Sequence, residues 1–199
     1  MEILFEVKNS TGVITLSRPK ALNALNLNMA IQLSKKLKEW EEDNAVERVI
    51  LLGEGNHFCA GGDVKSVHLS GPFSELKREF FSKEYSLNLQ IKNFPKPYLS
   101  IWKGVVMGGG VGLSIYGDYR IATDSTKFAM PETSIGFFPD VGGSFFLAKL
   151  EDFNDILRRE VVLVHICSFI TCSKFVWVVF CQSFLLLTDF GYVVNALFR

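Results

Sequence analysis

Twice in this chain a run of five residues, four of them apolar, is stopped by glycines and followed by helix-forming sequence. The first run is Arg48-Val49-Ile50-Leu51-Leu52, stopped at Gly53-Glu54-Gly55 and again at Cys59-Ala60-Gly61-Gly62-Asp63, with a short helix expected from about Val64. The second is Tyr98-Leu99-Ser100-Ile101-Trp102, followed by Met107-Gly108-Gly109-Gly110 and a helix expected to about Tyr116, closed by Gly117. Runs of this length bounded by turn residues read as buried strands. Strand, glycine turn and helix in repetition give an α/β layout, with backbone exposed at the turns.

The flanking segments agree with this layout. Residues 3–7 and 13–17 are apolar-rich and are separated by Asn9-Ser10-Thr11-Gly12, which reads as a hairpin. Residues 28–43 read as a helix with Met29, Leu33, Leu37 and Trp40 on one face. Pro72 is expected to open a longer helix to about Lys92, with Phe73, Leu76, Phe80, Leu87 and Ile91 on its apolar face. Short strands are expected at 119–122 and 128–129, then a Gly/Pro-rich loop over 131–143.

Composition matters because it is uneven. The chain has 199 residues, 21 Lys plus Arg and 21 Asp plus Glu, and no basic excess that would suit a nucleic-acid partner. Only Lys174, Asp189 and Arg199 are charged beyond residue 160, and no proline lies beyond Pro139. The chain therefore divides into a core, 1–150, and an atypical hydrophobic tail, 151–199. Three of the four cysteines lie in that tail, and no CxxC pair exists, so neither a disulfide framework nor a metal site is expected. The N-terminus shows no secretory or transit signal, and the last three residues are no peroxisomal address.

Three groups of residues can carry chemistry. The glycine turns at 61–62 and 108–110 offer unpaired backbone N–H groups; two such amides converging on one spot form an oxyanion hole, and one set alone can cradle a phosphate. Plain turn chemistry explains either turn taken singly. Glu132 and Asp140 each follow a proline in an otherwise apolar stretch. Carboxyls so placed have raised pKa values and suit acid/base or nucleophilic work; a helix-start acid and an N-cap are the structural alternatives. Glu84 falls on the apolar stripe of Phe80, Leu87 and Ile91, where a carboxyl is costly unless used or paired with Lys77, Arg78 or Lys83. His57, His68 and His165 have no motif partners.

Together these residues resemble the crotonase (enoyl-CoA hydratase/isomerase) superfamily. The resemblance runs through Ser17-Arg18-Pro19-Lys20-Ala21-Leu22-Asn23-Ala24-Leu25, Phe58-Cys59-Ala60-Gly61-Gly62-Asp63, Met107-Gly108-Gly109-Gly110-Val111-Gly112-Leu113 and the stretch FAMPETSIGFFPDVGG at 128–143, and covers about residues 3–150. It is nearest to the thioester-hydrolase branch that acts on 3-hydroxyisobutyryl-CoA. It implies a spiral of ββα repeats that binds acyl-CoA, with the thioester carbonyl on the N–H groups of Gly62 and Gly109. It implies substrate-binding and catalytic positions at Glu84, Gly109, Glu132 and Asp140, and a CoA site at Lys20, Ala21, Ala60, Gly61 and Asp63. It implies no cofactor beyond the CoA of the substrate, a place in valine breakdown, and a mitochondrial or peroxisomal setting; it allows for self-association. Hydratases of the superfamily carry a glutamate where this chain has Gly112, so water addition by two carboxylates is not expected. Another crotonase-fold activity and CoA binding without turnover stay open.

Beyond residue 150 the resemblance dissolves, so the spiral is expected to be incomplete at its C-terminal end. The apolar tail is long enough to span a bilayer, although His165, Lys174 and Gln182 interrupt it. A foreign segment translated from non-coding sequence, a replacement for missing core and a membrane anchor are the readings open for it. A membrane partner is not expected.

Overall fold

A computed structural model of the chain describes residues 1–71 and 73–147, and the backbone of two short strands, Phe169–Cys172 and Phe175–Val178. Pro72 and most of the tail, with the readings offered for it, lie outside the described residues.

The hairpin forms as expected. Strands β1 (Ile3–Lys8) and β2 (Thr11–Leu16) pair antiparallel, with Asn9 and Ser10 both at positive φ in the turn. Strands β3 (Arg48–Gly53), β4 (Tyr98–Trp102) and β6 (Tyr119–Ala122) then add in parallel, in the order β1-β2-β3-β4-β6. A second, smaller parallel sheet joins β5 (Val105–Met107) to β7 (Lys127–Ala129). An isolated parallel bridge between Cys59 and Val106 lays residues 59–62 along β5, and another between Leu25 and Gly62 lays residues 22–25 outside that. Each turn of chain therefore places one strand in the large sheet and one in the small layer before its helix. Strands β8 (Phe169–Cys172) and β9 (Phe175–Val178) form a separate antiparallel pair.

Helix α1 (Leu27–Glu42) starts where Asn26 accepts a hydrogen bond from the N–H of Met29, and it buries Met29, Ala30, Leu33, Leu37 and Trp40. Its acidic C-terminal end opposes the helix dipole, and Lys96 offsets this by donating to the carbonyls of Trp40 and Asp43. Gly12 lies against the Trp40 ring so closely that a Cβ would come within 2.7 Å of it. Helix α2 (Val64–Leu69) is capped by Asp63. Helix α3 (Glu75–Lys92) starts later than the proline suggested, because the Ser74 hydroxyl caps it by accepting from the N–H of Leu76. Phe73 lies outside the helix and is 97% exposed, so it does not belong to the apolar face; Phe80, Leu87 and Ile91 do.

The largest departure is at the triple glycine. Helix α4 spans only Gly109–Gly112, not a helix to Tyr116. Three glycines give it little intrinsic stability. The Ser114 hydroxyl takes the carbonyls of Gly110 and Val111, and Arg120 draws off those of Ile115 and Gly117, so the segment resolves into turns. The 131–143 loop contains a 3-10 turn, Glu132–Ile135, and gives way to helix α5 (Gly143–Leu147). Among the described residues no helix is long and apolar enough to cross a membrane.

Candidate active site

The register of the small layer assembles the site. The bridge pairing Cys59 with Val106, carried three residues on, sets Gly62 beside Gly109; the β5–β7 register sets Gly109 level with Pro131, next to Glu132. The first two glycine turns and the Met130-Pro131-Glu132 segment thus meet at the C-terminal ends of neighbouring strands.

Each backbone amide is turned toward that meeting point. The bridge at Gly62 uses the carbonyl of Gly61, which accepts from Leu25, and the N–H of Asp63, which donates to Leu25. The N–H of Gly62 itself faces the opposite edge and has no partner among the described residues. That of Gly109 is the first of helix α4 and is likewise unpaired. The glycines are needed for this approach. A Cβ on Gly109 would stand 3.1 Å from the Gly62 nitrogen and 2.2 Å from Glu84 Oε1, and one on Gly108 would stand 2.9 Å from Glu132 Oε1. Gly61 and Gly108 also have positive φ, at 110° and 46°.

Three carboxyls border the same space. Glu84 on α3 is 2% exposed, Glu132 is 7% exposed and Asp140 is 9% exposed. Burial pushes Glu84 up to about 8, with the charges of Asp140 and Glu132 adding to it. Burial pushes Glu132 up to about 7, with Asp140 contributing. Burial raises Asp140 too, opposed by a hydrogen bond from the Tyr85 hydroxyl at 2.7 Å. Glu132 Oε2 is buried without a partner. All three acids line a cavity of about 580 Å³ together with Ala60, Gly61, Gly62, Gly108 and Gly109. Paired amides facing an apolar, carboxyl-lined cleft can hold an oxyanion and move a proton beside it.

The proposed CoA residues are only partly gathered here. Ala60 and Gly61 line the cavity. Lys20, exposed, and Ala21 sit on the 3-10 turn Pro19–Ala21; the next residue, Leu22, accepts from the Ala60 N–H, which keeps this turn beside the rim. The Asp63 carboxylate is already occupied, capping α2 through Ser66 and pairing with Arg18 at 3.0 Å. His57 accepts from the Val105 N–H, a structural role, whereas exposed His68 lies along the cavity.

Two site neighbours were not singled out from sequence. Tyr85 lies off the apolar stripe, so periodicity gives no signal for it. Asn88, one turn beyond Glu84, lies on the stripe and is buried with both amide atoms unpartnered. Its amide presses on Gly112, where a Cβ would come within 2.8 Å of it.

The family model for enoyl-CoA hydratase/isomerase matches residues 11–154. The chain belongs to the enoyl-CoA hydratase/isomerase family. It is 51% identical over 152 residues to the mitochondrial 3-hydroxyisobutyryl-CoA hydrolase of Danio rerio, covering 75% of this chain and 40% of that one. Identity to the Homo sapiens mitochondrial 3-hydroxyisobutyryl-CoA hydrolase is 49% over 152 residues, covering 75% and 39%. A solved carnitinyl-CoA dehydratase from Mycobacterium thermoresistibile superposes with a TM-score of 0.73 at 45% identity, covering 75% of this chain and 45% of that one. The chain thus spans about two fifths of the length of these curated relatives. The α/β spiral expected of a crotonase-family member is the fold observed over the described core.

The raised carboxyls make stability depend on pH. The ordinary value for Glu84 is 4.5 and its folded value about 8, so the folded protein retains a proton that the unfolded chain gives up. Its contribution to stability is therefore undiminished below about pH 4.5, falls as pH rises from there, and levels off above about 8. Glu84→Gln, which mimics the protonated form, is expected to leave Tm unchanged at pH 4. At pH 8 it should raise Tm by roughly 5–10 °C, corresponding to a few kcal/mol. Thermal melts at the two pH values check this; a Tm difference that does not vary with pH would contradict it.

Proposed function

We propose that this chain carries the active site of an acyl-CoA thioester hydrolase whose substrate is 3-hydroxyisobutyryl-CoA. The observation that carries the reading is the pair of free amides, Gly62 and Gly109, meeting beside the buried carboxyl of Glu132. The thioester carbonyl oxygen accepts from both N–H groups. Glu132 attacks the carbonyl carbon, or takes a proton from the water that does, and the carbonyl electron pair collects on the oxygen in the amide pair. Collapse breaks the carbon–sulfur bond and CoA leaves as the thiolate, which takes its proton from Glu132 on the water route and from water on the anhydride route. Where Glu132 attacked, water then opens the anhydride; both routes give the free acid. Glu84 and Asp140 orient the 3-hydroxyl or the water. Lys20, Ala21, Ala60, Gly61 and Asp63 are the proposed CoA contacts, the first two and Asp63 from the rim. The chemistry needs no cofactor beyond the CoA of the substrate.

Gly112 favours hydrolysis over hydration. A side chain there would run into the Asn88 amide and the Val141 Cβ at under 3 Å, which leaves no room for a second carboxylate from that position. The alternative reading is CoA binding without turnover. The relatives' names support a mitochondrial setting, and the proposed role is in valine breakdown.

The test is CoA-thiol release from 3-hydroxyisobutyryl-CoA beside hydration of crotonyl-CoA, with CoA binding followed by calorimetry. The expected result is thiol release from the first substrate and no hydration of the second. Binding without release from either would favour the alternative reading, and hydration of crotonyl-CoA would overturn the hydrolase assignment.

A further inference from the structure

We propose that Tyr85 is a positioning residue for hydrolysis: its hydroxyl, 2.7 Å from Asp140 Oδ2, fixes the Asp140 carboxylate in the wall of the site. The proposal rests on the reading of Asp140 as part of the hydrolytic machinery. Tyr85 follows Glu84 on α3, so one helix turn supplies both a carboxyl to the cavity and the donor that holds a second one. The Tyr85 ring is itself held. It lies 5.9 Å from the ring of Phe81, which stacks at 5.6 Å on Phe137, which stacks at 4.5 Å on Phe138, two residues before Asp140. This aromatic ladder links the Asp140 loop to α3 beside Tyr85. Asp140 walls both the site cavity and a smaller groove lined by Tyr85, Asn88 and Lys92; Tyr85 holds Oδ2 from the groove side and so fixes the carboxylate where the two spaces meet.

Other groups act on Asp140 as well. Glu84 from α3 and Glu132 from the 3-10 turn interact with it by charge; Lys77 and His68 share the lining of the site cavity with it, and Lys92 and Tyr116 that of the groove. The Tyr85 hydroxyl is distinguished from them by a direct hydrogen bond. Such a bond favours the ionised carboxylate against the burial that opposes it.

Tyr85→Phe removes the hydroxyl and keeps the ring on Phe81, so the thermal melt is expected to match the parent. Carbon NMR titration of labelled aspartates, with Asp140→Asn to assign the signal, reads the carboxyl directly and needs no substrate. The expected result is an Asp140 midpoint higher by about one unit, the size of a lost hydrogen bond to a charged group. On 3-hydroxyisobutyryl-CoA, kcat is expected to fall about tenfold with KM within about twofold. An unmoved Asp140 titration, or a moved titration with kcat unchanged, overturns the proposal. A parent protein that releases no CoA overturns the hydrolase reading instead, and the titration alone then decides the hold of Tyr85 on Asp140.

Discussion

Glu132→Gln is expected to lower kcat for CoA release by about 10³-fold, the scale of losing a nucleophile or general base. Glutamine keeps the shape and the buried, uncharged character of the protonated acid, so the fold should be preserved. The pH profile makes the test specific. A carboxyl at about 7 must be ionised to attack or to take a proton, so kcat/KM of the parent should rise with pH through about 7. Glu84 is held protonated up to about 8 and can donate a hydrogen bond only in that form, so the profile should fall again above about 8. The two limbs belong to the coupled acids as a set rather than to either one alone. In Glu132→Gln the acid limb should disappear from the residual rate. A variant within tenfold of the parent, or one that keeps the acid limb, would remove Glu132 from the chemistry.

Local chemistry made much of this site readable from the sequence. Glu84 shows as a carboxyl on an apolar stripe, and an acid at that position had to be buried or paired; it is buried. The hairpin and the parallel strands follow from turn residues and apolar runs, because burial on both faces leaves few other options. What stayed hidden depends on register between distant segments. Cys59 carries no mark that it will bridge to Val106, yet that bridge sets Gly62 beside Gly109. The length of α4 was misread because the carbonyls of Ile115 and Gly117, beyond the glycines, go to Arg120, which reaches back from the next strand. Phe73 was misplaced because the Ser74 cap, not the proline, fixes where α3 begins. Tyr85 was missed because its function lies in a hydrogen bond to a residue 55 positions away.

Gly109→Ala is expected to reduce kcat by a further large factor, about 10²- to 10³-fold, while leaving the protein folded. The backbone at Gly109 does not need glycine for its own conformation. It opens helix α4 and is absent from the positive-φ positions, unlike Gly61 and Gly108. Alanine there is also the better helix former, which offsets some crowding. The damage falls on the site. The added methyl would stand 3.1 Å from the Gly62 nitrogen, in the approach to the second amide, and 2.2 Å from Glu84 Oε1, which must swing away. One methyl group therefore obstructs the amide pair and displaces a carboxyl at once. The neighbouring Gly108→Ala separates the two kinds of effect. There φ is 46° and the Cβ would meet Glu132 Oε1 at 2.9 Å, so backbone strain adds to lost activity and Tm should fall. Rates and melts of the two variants, measured side by side, check the assignment. A Gly109→Ala protein that keeps full activity would mean that the oxyanion forms somewhere other than between Gly62 and Gly109.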